Sequence, residues 1–280
     1  MSALALLNLP TMNNQHQDMG ESNIQEINFQ PYLSIVIPTW NEEKRLPQTL
    51  QKIASYLQIK GYAAEIIVAD DGSTDQTVQI AQQFARKLPA VRVICNDHRG
   101  KAYTVRTGML AANGQYILFT DADGATPIEE VDKLLPRLEQ GYDIAIGSRE
   151  GAEARRFHEP WYRHLMGRVF NFIVRLLALP GIQDTQCGFK AFRRAAAHDL
   201  FGHMQLYGPQ AGVVKGAMLT GFDVEILFMA RKWGYSIAEV PVHWYYGAES
   251  KVHPLKDSWR NLRDILRVRW NDIRDCYKRQ

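Results

Sequence analysis

Cysteine, net charge and long apolar runs are all scarce in this sequence. Only three cysteines occur among 280 residues: Cys95, Cys187 and Cys276, odd in number and widely spaced. That excludes a disulfide framework and leaves no zinc-ligand spacing, so reduced thiols in a cytosolic protein are expected. The formal net charge is only +3, too small for a broad nucleic-acid footprint, so no nucleic-acid partner is expected. No uncharged apolar stretch reaches the ~18 residues that cross a bilayer. The short apolar piece at residues 3–9 has no basic region ahead of it, which argues against a secretory signal. Two glycine patterns are missing as well, Gly-x-Gly-x-x-Gly and a Gly-Lys-Ser/Thr loop. A dinucleotide fold and a phosphate-cradling loop are thereby disfavoured.

What is present suffices for a large core: 46% of residues are apolar and 22% charged. Residues 1–30 are expected to be a disordered lead, with 11–30 rich in Asn, Gln, Glu and Ser. A main domain is expected over 31–256 and a basic amphipathic helix over 257–280. Apolar, β-branched runs predict strands at 33–37, 65–69, 91–94, 116–120 and 143–146. Helical spacing predicts helices at 43–59, 75–88, 101–112 and 127–140 between and after them. Strict alternation of this kind predicts an α/β fold, a mostly parallel sheet with helices on both faces. Ligands of such sheets sit beyond the carboxyl ends of the strands. The first, second and fourth strands end there in Asn41-Glu42, Asp70-Asp71 and Asp121-Ala122-Asp123. Two carboxylates at i and i+2 beyond a strand both reach one hard cation, which prefers oxygen ligands and keeps positions open for phosphate oxygens. A lone Asp-x-Asp also arises by chance as a turn, so its weight comes from its neighbours.

Those neighbours carry a resemblance. Ile37-Pro38-Thr39-Trp40-Asn41-Glu42-Glu43, Ala69-Asp70-Asp71-Gly72-Ser73-Thr74-Asp75 and Thr120-Asp121-Ala122-Asp123-Gly124 stand in the order and spacing of inverting family-two glycosyltransferases. Gly100-Lys101, the Val105–Gly108 stretch, Thr126-Pro127, the Gly147–Arg149 and Asp184–Lys190 blocks, Gly221–Glu225 and Ser250–Val252 extend it. Together they resemble the dolichyl- or polyprenyl-phosphate glucosyltransferase branch over about residues 32–269. The resemblance implies a GT-A-type, Rossmann-like fold, a nucleotide-sugar donor (UDP-glucose), a lipid phosphate acceptor and Mg²⁺ or Mn²⁺. It puts Pro38, Asn41 and Glu42 around the nucleoside. Asp70 or, preferably, Asp71 accepts from the uracil N–H, and Lys101 pairs with phosphate or a nucleoside carbonyl. Asp121 and Asp123 take the metal and diphosphate, with Asp123 the direct ligand. Other donors and acceptors stay open: GDP-mannose, a polyol or glycan hydroxyl, or nucleotide-sugar binding without transfer. The segment at 202–220 is longer than the family pattern leads one to expect.

A phosphate acceptor needs cations and no general base, because its second pKa is ~6. Arg149, at the end of the fifth strand, is the expected clamp, with Arg163, Arg168 and Arg175 as further candidates. A hydroxyl acceptor needs a base instead, and Asp223 or Glu225 would serve. The segment 161–179, read as a helix, carries one narrow polar stripe of His164, Arg168, Asn171 and Arg175. The rest of its surface is apolar, so it is either mostly buried or partly in a lipid interface. In the final helix Trp259, Leu262, Leu266, Trp270 and Ile273 form an apolar stripe flanked by Arg260, Arg263, Arg267 and Arg274. That stripe either docks on the core or lies on an anionic membrane surface. Peripheral attachment at the cytoplasmic face of a membrane is the corresponding expectation.

Overall fold

The computed structural model describes residues 30–216, 221–247 and 254–279. The expected lead at 1–29 and the Ser250–Val252 motif lie outside the described residues. A β-branched run with few polar side chains suits a strand covered on both faces, and Leu33–Thr39 forms such a strand, β1, buried at every position. β2 (Ala64–Asp71), β3 (Val91–Asn96), β4 (Tyr116–Thr120) and β5 (Ile144–Ser148) follow near their expected places. β1 pairs in parallel with β2 and β4, and β2 with β3. The connecting helices are α1 (Leu46–Lys60), α2 (Thr77–Lys87), α3 (Lys101–Ala111) and α4 (Val131–Glu139), the last preceded by a 3-10 turn at Ile128–Glu130. α1 starts three residues later than its periodicity suggests. The Glu43 N–H is taken by Asp75 Oδ2 at 3.2 Å, across the strand ends, before the helix begins.

Beyond β5 the strict alternation stops. β7 (Phe189–Arg193) enters between β4 and β5 and runs antiparallel to both. β8 (Ile237–Pro241) closes the edge in parallel with β5. The seven-stranded order is β3-β2-β1-β4-β7-β5-β8, and β6 (Arg155–Phe157) pairs with β9 (His243–Tyr245) in a separate ribbon. α5 (Trp161–Leu177), α6 (Arg194–Gly202), α7 (Phe222–Lys232) and α8 (Pro254–Ile273) complete the chain.

Alternation along β1 sorts the core into two layers. Leu33, Ile35 and Ile37 join Leu50 and Ile53 of α1 and Leu134 of α4. Val36 points the other way, toward Val105 of α3, Phe201 of α6, Val224 of α7 and Ile265 of α8. α3 lies so close to β1 that a Cβ on Gly108 would meet Val36 Cγ1 at 2.4 Å.

The last long helices face opposite to simple amphipathic docking. On α5, Asn171 of the polar stripe is buried, whereas Trp161, Leu165, Val169, Phe172 and Leu176 are exposed. On α8 the docked face is Asp264, Ile265 and Val268, all at 0% exposure, while Trp259, Leu266, Trp270 and Ile273 stand in solvent. Asp264 seats the helix by accepting from Tyr207 Oη at 2.6 Å and from the Gly221 N–H at 3.1 Å. Docking of the α8 apolar stripe on the core is therefore not what forms. No helix among the described residues is long and apolar enough to cross a membrane.

Candidate active site

Because β1, β2 and β4 run parallel, their carboxyl ends open on one edge of the sheet, and the turns that follow are laced together. Pro38 lies buried opposite Ala69 in the β1–β2 register. Asn41, in the left-handed region at φ 53°, accepts from the Thr74 N–H at 2.9 Å, and its own N–H donates to Ser73 Oγ. The Glu42 N–H donates to Thr77 Oγ1 at 2.7 Å, and its carboxylate pairs with Arg45.

Asp70 and Asp71 are both buried, and both fasten this edge. Asp70 accepts from Thr39 Oγ1, Ser73 Oγ and the Ser73 N–H. Asp71 accepts from the N–H groups of Arg99 and Gly100 and lies 2.8 Å from His98 Nδ1. Three groups therefore converge on the Asp71 carboxylate, the Gly100 N–H being shared between its two oxygens. Asp71, favoured from sequence for the uracil N–H, fixes the start of α3 and so the direction of Lys101. His98, which the sequence left unremarked, stacks on Trp40 with ring centroids 4.8 Å apart and planes at 5°.

Around β4 the charges alternate. Lys190, buried on β7, donates to Asp223 Oδ1 at 2.5 Å and to the Cys187 carbonyl. Lys101 Nζ lies 2.6 Å from Asp121 Oδ1. Both ammonium groups sit over the Phe119 ring, at 5.8 and 5.5 Å from its centroid. Asp123 Oδ1 accepts from the Ala125 N–H at 3.0 Å while the side chain reaches the open mouth of the cleft. Gly188 makes the approach feasible, since a Cβ there would fall 2.1 Å from Asp121 Oδ2.

Desolvation by the cleft walls, then the charge of Asp121, raises the Asp123 carboxyl above its ordinary value. Burial would lower the Lys101 ammonium, but Asp121 outweighs it and the net direction is upward. Burial raises Asp223, with Lys190 and Lys101 holding back the rise. Asp121 and Asp123 supply the hard oxygen donors that Mg²⁺ or Mn²⁺ prefers. No group of three potential ligands gathers among the described residues, so diphosphate oxygens and water would complete the shell.

Two expected roles change. Arg149 spends its fork inside the protein, with Nε and Nη2 on the two oxygens of Asp184 at 2.7 and 2.9 Å. Burial lowers the guanidinium pKa and burial raises the carboxyl, yet in each the partner's charge prevails, so Arg149 goes up and Asp184 well down. That bidentate pair leaves Arg149 a structural tie rather than a free phosphate clamp. Glu225 is fully buried, and its Oε1 accepts from the Gln205 and Leu206 N–H groups and from Tyr277 Oη. Burial pushes its carboxyl up to about 7, but it faces a loop instead of the cleft. Of the other arginines, Arg168 is exposed on α5 and Arg175 has a buried Nε without a partner. The Arg163 side chain lies outside the described residues.

The long segment after α6 acquires a place. Its beginning is held by Glu225 and by Tyr207 on Asp264. Its later part lies on the loop after β3: the Val214 N–H donates to the His98 carbonyl, Arg99 Nη1 to the Ala211 carbonyl, and His98 Nε2 sits 3.1 Å from the Gly216 carbonyl oxygen. On the opposite side the Tyr245 N–H of the β6–β9 ribbon donates to the Ala125 carbonyl, two residues past Asp123. Carboxylates at Asp121 and Asp123 with the Lys101 ammonium between β4 and α3 suit holding a cation and an anionic group side by side.

Residues 34–201 match the family model described as Glycosyl transferase family 2. The chain is 37% identical to the dolichyl-phosphate beta-glucosyltransferase of Homo sapiens, over 85% of this chain and 74% of that protein. It is 34% identical to the dolichyl-phosphate beta-glucosyltransferase of Dictyostelium discoideum, over 88% of this chain and 76% of the relative. Among solved structures, mannosyl-3-phosphoglycerate synthase from Rubrobacter xylanophilus aligns with a TM-score of 0.64 at 18% identity, over 87% of this chain and 75% of that one. Glucosyl-3-phosphoglycerate synthase from Mycobacterium tuberculosis, solved with Mn²⁺, UDP and phosphoglyceric acid, aligns at 0.60 and 19%, over 85% and 78%. At such identities the structural likeness speaks for the fold, which is GT-A.

Proposed function

The chain belongs to glycosyl transferase family 2 and is a glycosyltransferase, and from that premise we propose that it moves glucose from UDP-glucose to a polyprenyl phosphate of the dolichyl type. The observation that carries the acceptor is likeness over most of the chain to proteins named dolichyl-phosphate beta-glucosyltransferases. The outward apolar faces of α5 and α8 support it, because a lipid-borne acceptor has to be met at a membrane. Peripheral attachment at the cytoplasmic face is part of the same reading.

In this reading the nucleoside lies against the laced turns at Pro38, Asn41 and Glu42, and the diphosphate lies at Asp121 and Asp123. A bound Mg²⁺ or Mn²⁺ would neutralise charge on the departing UDP. Lys101, already beside Asp121, donates to the same leaving group. The acceptor phosphate, with a second pKa of ~6, is largely dianionic. One of its oxygens bonds to C1 of glucose from the face opposite the diphosphate. The C1–O bond to the β-phosphate breaks, its electron pair leaves with UDP, and C1 inverts. No proton has to move. Asp223, held by Lys190, adds its carboxyl to the electrostatics felt by Lys101.

Labelled UDP-glucose, Mg²⁺ and polyprenyl phosphate should give a solvent-extractable labelled lipid, with GDP-mannose giving far less. Unlabelled extracts from protein that binds UDP-glucose would sink the proposal. The upward direction of the Asp223 carboxyl favours a second reading, transfer to a hydroxyl with Asp223 as base. Under that reading Asp223→Asn abolishes turnover while donor binding is kept. For a phosphate acceptor the loss is milder.

A further inference from the structure

The outward faces of α5 and α8 do not end on featureless surface. Where the carboxyl end of α5 meets α7 and α8, the surface dips into a pocket of 440 Å³. Its lining combines apolar Leu176, Leu177 and Phe228 with cationic Arg231, Lys232 and Arg269. Leu176, 74% exposed, belongs both to the pocket rim and to the outward face of α5. The Arg269 guanidinium lies 5.6 Å from the centroid of the Phe228 ring. Lys232 and Arg269 share one carboxylate, Asp272, while Arg231 Nη1 donates to the Pro180 carbonyl. Three cations against one carboxylate leave a net +2. The pocket is also apart from the reaction centre. It sits at the carboxyl end of α7, and Asp223 begins that helix nine residues earlier, roughly 13 Å at 1.5 Å per residue.

A lining that combines cationic and apolar side chains, at the edge of two exposed apolar helix faces, matches an anionic amphiphile and not a free anion. We propose that this pocket holds the headgroup phosphate of an anionic phospholipid, with the acyl chains lying along the outward faces of α5 and α8. The site lies at the other end of α7 from Asp223, and the proposal rests on the membrane reading above. Seating the carboxyl end of α7 on a headgroup sets the tilt of the protein and leaves the amino end, with Asp223, free to meet the acceptor.

The full chain is floated with phosphatidylcholine vesicles with and without phosphatidylglycerol. Two charge-matched double variants are compared, Arg231→Gln with Arg269→Gln in the pocket, and Lys52→Gln with Lys87→Gln on exposed positions of α1 and α2. Wild type should prefer the anionic vesicles. The pocket variant should lose roughly 30-fold in binding to them, each basic residue at an anionic surface being worth about a factor of five. The control variant should stay near wild type. Phosphatidylcholine binding, carried by the apolar faces, should be unchanged in both. Equal losses in the two variants would overturn the pocket while sparing the membrane reading. So would abolition of the anionic preference by glycerol 3-phosphate bound without vesicles. Failure of wild type to bind any vesicle would overturn both.

Discussion

Replacing Lys101 with Met should change metal binding and turnover in opposite directions. Any cation on Asp121 Oδ1 has to displace an ammonium 2.6 Å away. A hydrogen bond to a charged group is worth about 1.5–3 kcal/mol. The two side chains are 29% and 33% exposed, so solvent screening lowers the figure to about 1–1.5 kcal/mol. Lys101→Met removes that competition, and Mn²⁺ should bind the nucleotide-free protein about tenfold more tightly. The methionine keeps an apolar stem against the Phe119 ring, so the fold should hold. Turnover should fall instead, since loss of one positioned donor to a developing anion costs about 2.7–4 kcal/mol, or 10²–10³ in kcat. Electron paramagnetic resonance titration of free Mn²⁺ reads the first effect, and transfer at saturating metal the second. Weaker Mn²⁺ binding in a variant with an unchanged melting temperature would refute the reasoning. It would mean that Lys101 organises the carboxylates rather than competing for them.

Gly188→Ala places a methyl group 2.1 Å from Asp121 Oδ2, so Mn²⁺ affinity should drop about tenfold or more, as overpacking by one carbon costs about 1–3 kcal/mol; unaltered affinity by the same titration would contradict this. Asp184→Asn breaks a buried bidentate pair and should cost about 3–5 kcal/mol in urea unfolding. The double change with Arg149→Gln should cost less than the sum of the single changes, and strict additivity would argue against the coupling. Arg149 holds the Asp184 carboxyl low, so its contribution is present above the ordinary carboxylate value and fades as pH falls. Glu225 has the reverse sign. Its folded value of about 7 lies above the unfolded one, so its contribution is complete below about pH 4.3 and is lost as pH rises through 7. Glu225→Gln should therefore flatten the decline in stability between pH 5 and 8, by on the order of 2–3 kcal/mol; an unflattened decline would show that another group governs it.

The first half of the fold was legible because its strands are runs of β-branched residues stopped by polar turns, such as Leu33–Thr39 and Tyr116–Thr120. β7 was not, because Phe189–Arg193 is only five residues long and carries two basic side chains, Lys190 and Arg193. Its Lys190 is buried only because Asp223, 33 positions later, supplies a counter-charge. Local pattern contains no information about such a pair. Asp121 and Asp123 were legible as a carboxylate pair beyond a strand from their spacing alone, and the structure places them there beside Lys101. Arg149 and Glu225 have internal partners that the sequence did not reveal, for one shared reason. A charged residue in a motif reads as reaching for a ligand, and only the fold reveals Asp184 and the 205–206 backbone as prior claimants. His98 left no trace in sequence, since a lone histidine after a strand resembles any other.

The segment after α6 has a practical consequence for anyone who trims this protein. α8 looks like a removable appendage, a basic amphipathic tail of the kind routinely cut away to improve solubility. Yet Asp264 anchors Tyr207 and the Gly221 N–H, and Tyr277 closes the Glu225 carboxylate. The same segment continues to His98, which faces Asp71. Truncation before α8 would take the Tyr277 hydroxyl from the buried Glu225 carboxylate and the Asp264 carboxylate from Tyr207 and the Gly221 N–H, and would slacken the tether that ends beside Asp71. A shortened chain should therefore lose nucleotide-sugar affinity, and solubility is better sought by changing the exposed Trp259 and Trp270 than by deletion.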